Sequence, residues 1–243
     1  MIDIHCHILP MFDDGASELA ESIAMARLAV SSGVTGIIAT PHFQGDRQAL
    51  ELLPKLLSRY EKLTKVLAQQ QIPLTLYPGA EILCTPETVA MAQQKMLPTL
   101  GDSNYLLTEF FFNESEEFMS DTLSGLASCG YRPVIAHPER YDAVQRSPQL
   151  IEKWFFQGLV IQLNKGSLLG AFGPEVEEAA HWILSSGLAH AIASDAHSSR
   201  RRTTDMMELR RFLQDNCPPR YVQVLLEENP ARIVANQSMV PTE

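Results

Sequence analysis

The chain has no broad basic surface, no apolar stretch long enough for a bilayer and no paired cysteines, and each shortage removes a class of function. Its 243 residues carry 19 lysines and arginines against 29 aspartates and glutamates, a formal net charge of -10. A broad electrostatic grip on nucleic acid or an anionic membrane is therefore not expected. The one basic cluster is Arg200, Arg201 and Arg202, which by itself describes a solvated loop. No run approaches the roughly 18 to 20 apolar residues of a membrane helix. The N-terminus shows neither a basic leader nor a cleavable apolar stretch, so the expectation is a cytoplasmic protein without membrane insertion. Cys6, Cys84, Cys129 and Cys217 form no CxxC pair, which argues against a zinc ribbon or a dithiol redox motif and fits a reducing compartment.

What is present is an ordinary globular composition, 45% hydrophobic and 20% charged, enough for a sizeable core in one domain over 1–243. Seven apolar, β-branched runs each end in a polar residue: "MIDIHCH", "GIIATPH", "LTLYPGAEI", "NYLLTEF", "RPVIAHPER", "LVIQLN" and "AHAIASDAH". Amphipathic helical patterns separate them. "SELAESIAMARLAVSSG" puts Leu19, Ile23, Ala26 and Val30 on one stripe between a Ser17 cap and a Gly33 stop, and "TPETVAMAQQ" and "SPQLIEKWFFQG" each pair a hydroxyl cap with proline. Pro54 should delay or kink the helix within 50–70. Alternating strands and helices call for a parallel sheet covered by helices. A closed barrel is preferred to an open sheet, because it gathers the polar strand ends around one centre. The expected fold is α/β, a distorted TIM-like (β/α)7 barrel, with the helical "PPRYVQVLLEENPARIVANQ" closing or bracing one end.

Those strand ends collect His5, His7, Asp14, His42, Glu81, Glu109, His137, Asp195 and His197. Burying such groups unpaired costs several kcal/mol each, whereas cations would neutralise the carboxylates and coordinate the imidazoles. In "DIHCH" a period of two places Asp3, His5 and His7 on one face and Ile4 and Cys6 on the other; "SDAH" repeats the alternation with Asp195 and His197. Nine nitrogen and oxygen donors exceed the needs of one ion and suit two or three, divalent or trivalent, with manganese, iron and zinc all acceptable. His181 and His190 fall outside the pattern and read as packing or surface residues. Ions of this kind generate a hydroxide near neutral pH and stabilise phosphoryl charge, so hydrolysis is the natural reaction class. Arg140 in "AHPERY" and Arg202 are candidate phosphate clamps, and His42 and Asp195 are candidate proton donors to a leaving group.

Together "DIHCHILP", "DDG", "TPH", "GAEI", "AHPERY", "QLNKGSLLG" and "SDAH" resemble the polymerase and histidinol phosphatase (PHP) superfamily. Within it, the chain is similar to the bacterial metal-dependent protein tyrosine phosphatases of capsular and exopolysaccharide biosynthesis. The resemblance implies a trinuclear site: one metal on His5, His7, Glu81 and Asp195, a second on Glu81, Glu109 and His137, a third on Asp14, His42 and His197. It implies attack of a metal-bridging hydroxide on phosphotyrosine in the tail of a bacterial tyrosine autokinase. Met11, "TEFFF" and Lys165 depart from the family pattern, on the rim of the site. Phe110, Phe111 and Phe112 are either an aromatic wall or core. No cysteine here has an arginine six residues on, as a cysteine-dependent phosphatase requires: the count reaches Phe12, Ala90, Ile135 and Gln223. A small-molecule phosphoesterase such as histidinol phosphatase, and a non-catalytic kinase-binding module, are the alternatives. Asp3 is expected to orient a histidine.

Overall fold

Each of the seven runs forms a strand because it is short, apolar and rich in β-branched residues, with an amphipathic helix to cover it. The computed structural model describes residues 1–241. The strands are β1 (Ile2–Cys6), β2 (Gly36–Ala39) followed by β3 (His42–Gln44), β4 (Thr75–Pro78) followed by β5 (Glu81–Leu83), β6 (Tyr105–Glu109), β7 (Arg132–Ala136), β8 (Val160–Asn164) and β9 (Ala191–Ala193). All pairings are parallel. They form one sheet of order β1-β2-β4 and another of order β3-β5-β6-β7-β8-β9.

The two sheets are parts of one ring. Pro41, which has no N–H to donate, separates β2 from β3, and Gly79 and Ala80 separate β4 from β5. The ladder resumes across these gaps where the Glu81 N–H donates to the Pro41 carbonyl at 3.0 Å. The last strand meets the first where the Asp195 N–H donates to the His5 carbonyl and the His7 N–H to the Ala196 carbonyl, both at 2.9 Å. Cys6 pairs with Ala196 at the same place. With each interrupted run taken as one strand, the result is the expected distorted seven-stranded barrel.

Around it lie α1 (Leu19–Ser31), α2 (Leu53–Gln69), α3 (Thr88–Gln93), α4 (Glu116–Ser128), α5 (Asp142–Arg146), α6 (Gln149–Phe156), α7 (Lys165–Leu168), α8 (Pro174–Ser185), α9 (Met207–Asn216), α10 (Pro219–Gln223) and α11 (Asn229–Val234). Pro54 falls in the first turn of α2, where its missing N–H costs nothing, so the helix starts late. The expected hydroxyl caps differ in part from those formed. Ser115 caps α4 by accepting from the Phe118 N–H at 3.2 Å, but α1 follows Glu18 without a side-chain cap. Thr85 Oγ1 accepts from the Glu87 N–H at 3.2 Å as a cap of the turn that leads into α3, while its proton goes to the Gly45 carbonyl at 2.7 Å. Ser147 donates to the Gln149 side chain, and Pro148 is already helical.

An outer apolar layer, including Cys6, Met25, Ile37, Leu106, Ile135 and Ile161, fills the space between strands and helices. A second cluster inside the barrel, with Ile4, Ile38, Leu107, Val134, Ala136 and Ile233, forms its floor. Ile233 of α11 is fully buried there, so the C-terminal helices brace the bottom of the barrel as expected. Fully burying each such side chain contributes about 1.5–3 kcal/mol. This apolar floor leaves the polar strand ends at the other end.

Candidate metal centre

Strict alternation along β1 does not hold. The pairing register with β2 shifts between Asp3 and Cys6, and Ile4 lies in the inner apolar cluster while Cys6 lies in the outer one. A bulge has this effect: an extra residue turns the strand, so residues two apart no longer share a face. Asp3 is consequently drawn away from the histidine rings. Its carboxylate accepts from the Ser194 N–H at 3.0 Å and the Ser194 hydroxyl at 2.5 Å, and from the His5 backbone N–H at 3.4 Å. Asp3 thus holds the β9 turn in place, a correction to its expected role.

The nine donors converge. Glu81, on β5 and fully buried, is the hub: its oxygens lie 3.2 Å from His5 Nε2, 3.3 Å from His7 Nε2, 3.0 Å from His42 Nδ1 and 2.9 Å from His137 Nε2. Glu109 lies 3.5 Å from His42 and 3.7 Å from His137. Asp14 is 3.4 Å from both His42 and His197. Asp195 Oδ1 faces His5 and His7 at 3.5 Å and His197 at 3.6 Å. Four groups have ligand atoms mutually within 4.8 Å: His7, Asp14, His42 and His197; His5, His7 and Glu81; His5, His137 and Asp195; and His42, Glu81 and Glu109. His137 and Asp195 have left-handed backbones, with φ of 34° and 48°, a cost of about 1–3 kcal/mol each that concentrates at functional sites.

The ring nitrogens show why positive charge belongs here. His5 Nδ1 lies 2.9 Å from Gln162 Oε1 and must donate, since that oxygen only accepts. His7 Nδ1 likewise donates to Asp13 Oδ2 at 2.7 Å. Both histidines then turn their Nε2 atoms toward the centre, 3.2 Å apart. Two imidazole lone pairs at that distance repel unless a proton or a metal cation lies between them. His197 follows the same logic: its Nδ1 lies 3.0 Å from the Asp195 carbonyl, and its buried Nε2 has no hydrogen-bond partner among the described residues. The same holds of the buried Glu81 Oε2 and His137 Nδ1. Imidazole nitrogens and carboxylate oxygens are a fitting donor set for zinc, manganese or iron.

Electrostatics agree with the geometry. Burial raises the Glu81 pKa, but His5, His137 and His42 outweigh it and hold the carboxyl well below its usual range. Burial and the charge of Glu81 push Glu109 up. Burial disfavours a charged His7, yet its hydrogen bonds to the carboxylates of Asp13, Asp195 and Glu81 raise its pKa well above the ordinary value. Such a proton takes the place of a cation and leaves when a metal binds. His197 moves the other way, to about 4, through burial and the positive charges of His7 and Arg202. It offers a free lone pair at neutral pH.

The residues missed in the sequence are those that aim the ligands. Asp13 fixes His7 and accepts from the His42 N–H at 2.9 Å; Gln162 fixes His5; Asn164 donates to Asp195 Oδ2 at 2.5 Å. A signal existed for two of them. Asp13 adjoins Asp14, and in "LVIQLN" Gln162 shares a face with Asn164 at the strand end.

Both candidate arginines reach the centre. Arg202 is 2.5 Å and Arg140 3.6 Å from Asp195 Oδ2. Beside the cluster opens a groove of about 500 Å³ lined by His42, Glu109, Leu52, Leu83, Phe111 and Phe112 among others. The three phenylalanines divide: Phe110 is buried edge-on against Phe118 and Tyr141, while Phe111 and Phe112 are 60% and 40% exposed along the groove. His181 stacks on Phe212 and His190 on Phe155, both away from the ligands. Cys6 and Cys84 are buried, and burial pushes both thiols up.

Known proteins share this arrangement of sequence and fold. The family model described as capsular polysaccharide synthesis, CpsB/CapC, matches residues 1–235. The chain is 36% identical over 239 residues to the tyrosine-protein phosphatase YwqE of Bacillus subtilis, covering 98% of this chain and 93% of that one. It is 29% identical over 244 residues to the tyrosine-protein phosphatase CpsB of Streptococcus pneumoniae, covering 98% and 99%. A solved structure from work on those two proteins, described as unique metal-dependent tyrosine phosphatases, superposes with a TM-score of 0.88 at 35% identity over 99% of this chain and 96% of that one. A histidinol phosphate phosphatase of Lactococcus lactis shares the fold at a TM-score of 0.51 and 12% identity, covering 88% of this chain and 92% of that one.

Proposed function

Because the chain belongs to the CpsB/CapC family of capsular polysaccharide synthesis, we propose that it is a metal-dependent tyrosine phosphatase and that the nine converging side chains are its metal ligands. The observation that carries this reading is the pair of inward-facing, buried nitrogens of His5 and His7, 3.2 Å apart, joined through Glu81 to His42, which lines an aromatic groove. His5, His7, Glu81 and Asp195 would hold one ion, Glu81, Glu109 and His137 a second, and Asp14, His42 and His197 a third. Ions so held supply a water of lowered pKa and a positive field for the phosphoryl group.

The remaining work falls to the chain itself. Arg140 and Arg202 lie against Asp195 beside the cluster, where guanidinium forks take phosphoryl oxygens in charge-assisted pairs. Phe111 and Phe112 wall a groove wide enough for a phenyl ring. Asp195 Oδ2 is occupied by Asn164 and Arg202, and nearby His5 and His7 hold its carboxyl below the usual range against burial. It is a carboxylate at neutral pH with no proton to give. The other candidate, His42, borders the groove, but as a ligand of the third ion it would turn its lone pair to the metal rather than a proton to the phenolate.

The proposed substrate is phosphotyrosine on the tail of a tyrosine autokinase in the cytoplasm. The family's part in capsular polysaccharide synthesis supports that choice, as do four free cysteines and the lack, among the described residues, of any helix long and apolar enough to cross a membrane. The test is a phosphatase assay on phosphotyrosyl peptide, phosphoseryl peptide and histidinol phosphate, using chelated protein reloaded with manganese, iron or zinc. We expect turnover of the phosphotyrosyl peptide, loss in chelator, and no effect of thiol alkylation. Preference for histidinol phosphate would overturn the substrate assignment, and activity that survives chelation but not alkylation would overturn the metal centre.

A further inference from the structure

The two arginines assigned to the phosphoryl group share a support that touches no ligand. Phe172, in the loop between α7 and α8, places its ring 4.5 Å from the guanidinium carbon of Arg140 and 5.9 Å from that of Arg202. Phe112 supplies a second ring to Arg140 at 4.3 Å. A guanidinium stacked on aromatic faces keeps its N–H edge free for planar recognition while its orientation is restricted. The ring is itself fixed from behind: a Cβ added to Gly166 in α7 would lie 2.7 Å from it, so Phe172 packs directly on that helix's backbone.

Lys165, the first residue of α7, acts on the other side of Arg202. Its mostly buried ammonium donates to the carbonyls of Thr203 and Asp205, the latter at 2.8 Å. These carbonyls closely follow Arg202, whose backbone is left-handed at φ 47° and whose own carbonyl accepts from the His197 N–H at 2.8 Å. The segment carrying Arg202 is therefore closed on itself at one end and tied to the barrel by a buried cation at the other. A lysine in so enclosed a place gives up hydration, and burial lowers its pKa. Its hydrogen bonds go to that segment.

We infer that Phe172 and Lys165 are positioning residues for phosphoryl binding, the ring setting Arg140 and Arg202 at a fixed spacing and the ammonium fastening the segment that bears Arg202. The inference rests on the assignment of the two arginines made above. Loss of either support frees the guanidinium groups without removing a ligand, so binding of phosphate weakens while metal uptake does not.

The test compares Phe172→Leu, Phe172→Trp and Lys165→Met in metal-loaded protein, reading KM and kcat for a phosphotyrosyl peptide, inhibition by inorganic phosphate, and bound metal per chain. For Phe172→Leu and Lys165→Met we expect the phosphate inhibition constant and KM to rise together by about tenfold, with metal content unchanged. Phe172→Trp, which keeps an aromatic face, should restore most of the loss. Phe172→Leu keeps an apolar side chain at a half-buried position and decides the matter should Lys165→Met fail to fold. In an Arg140→Ala, Arg202→Ala background it should add nothing. Normal phosphate inhibition in Phe172→Leu, or an undiminished effect of that change in the double-arginine background, overturns this inference alone. Normal inhibition in Arg140→Ala and Arg202→Ala overturns the arginine assignment, and the inference with it.

Discussion

Asp13 illustrates how a residue that need not touch a metal can govern one that does. Its carboxylate receives the His7 Nδ1 proton and the His42 backbone N–H, and although burial raises its pKa, His7 brings it down to about 2. Asp13→Asn removes the charge that selects the His7 tautomer. Metal affinity should fall about 10- to 100-fold, measurable by competition with a chromophoric chelator. His190 offers a second test. Burial pushes it down to about 4, and its Nδ1 accepts the Ile161 N–H at 3.1 Å, which a protonated ring cannot do. The unfolded chain, with an ordinary histidine pKa near 6.5, takes up that proton first. Stability from this residue is complete above about pH 6.5 and is lost toward pH 4, by up to about 3 kcal/mol. His190→Gln should flatten that part of the pH dependence, read from urea midpoints of chelated protein at pH 7.5 and 5. Histidines and carboxylates at strand ends were legible in the sequence, because a polar residue closing an apolar run is conspicuous. Gln162 and Asp13 carried a positional signal but not their roles, since choosing a histidine tautomer depends on partners that only folding brings together.

Among the elements, β1 and the loop after it set the geometry of the centre. The bulge in β1 separates Ile4 from Cys6 and brings His5 to Gln162. The "DDG" loop then folds back so closely that a Cβ on Gly15 would lie 2.2 Å from the His7 carbonyl oxygen and 2.5 Å from His7 Cβ. Gly15→Ala must therefore displace the loop bearing Asp13 and Asp14. It should reduce kcat/KM by at least about tenfold while the chelated protein keeps a cooperative thermal transition, since a loop shift disturbs the site more than the core. The runs of apolar residues revealed the strands and their order of chemistry. They did not reveal the bulge, because a period of two assumes an unbroken ladder, nor that the Ser147 hydroxyl goes to the Gln149 side chain.

In the whole molecule, stability and chemistry occupy opposite ends of one barrel. Ile233, on the last helix, is fully buried in the floor cluster with Ile4 and Ile38. Ile233→Ala should cost about 2–5 kcal/mol of unfolding free energy, seen in urea denaturation, with kcat/KM of the folded enzyme little changed. The barrel itself was legible from the regular spacing of polar strand ends, which an open sheet would have scattered along a line. The gaps at Pro41 and at Gly79 and Ala80, which divide the ring into two sheets, have a clear local signal only in the proline. The ring has one more consequence, in time rather than space. Its seam joins β1 to the turn after β9, with Asp3 bonded to Ser194 across 191 positions. On a ribosome β1 emerges well before its partner on one side, which lies 191 positions further along the chain. Until then β1 has an unpaired edge, and His5 and His7 lack Asp195 and His197. The nascent chain must wait with an open edge, and its ligand set is complete only once His197, the last of the nine in chain order, has emerged.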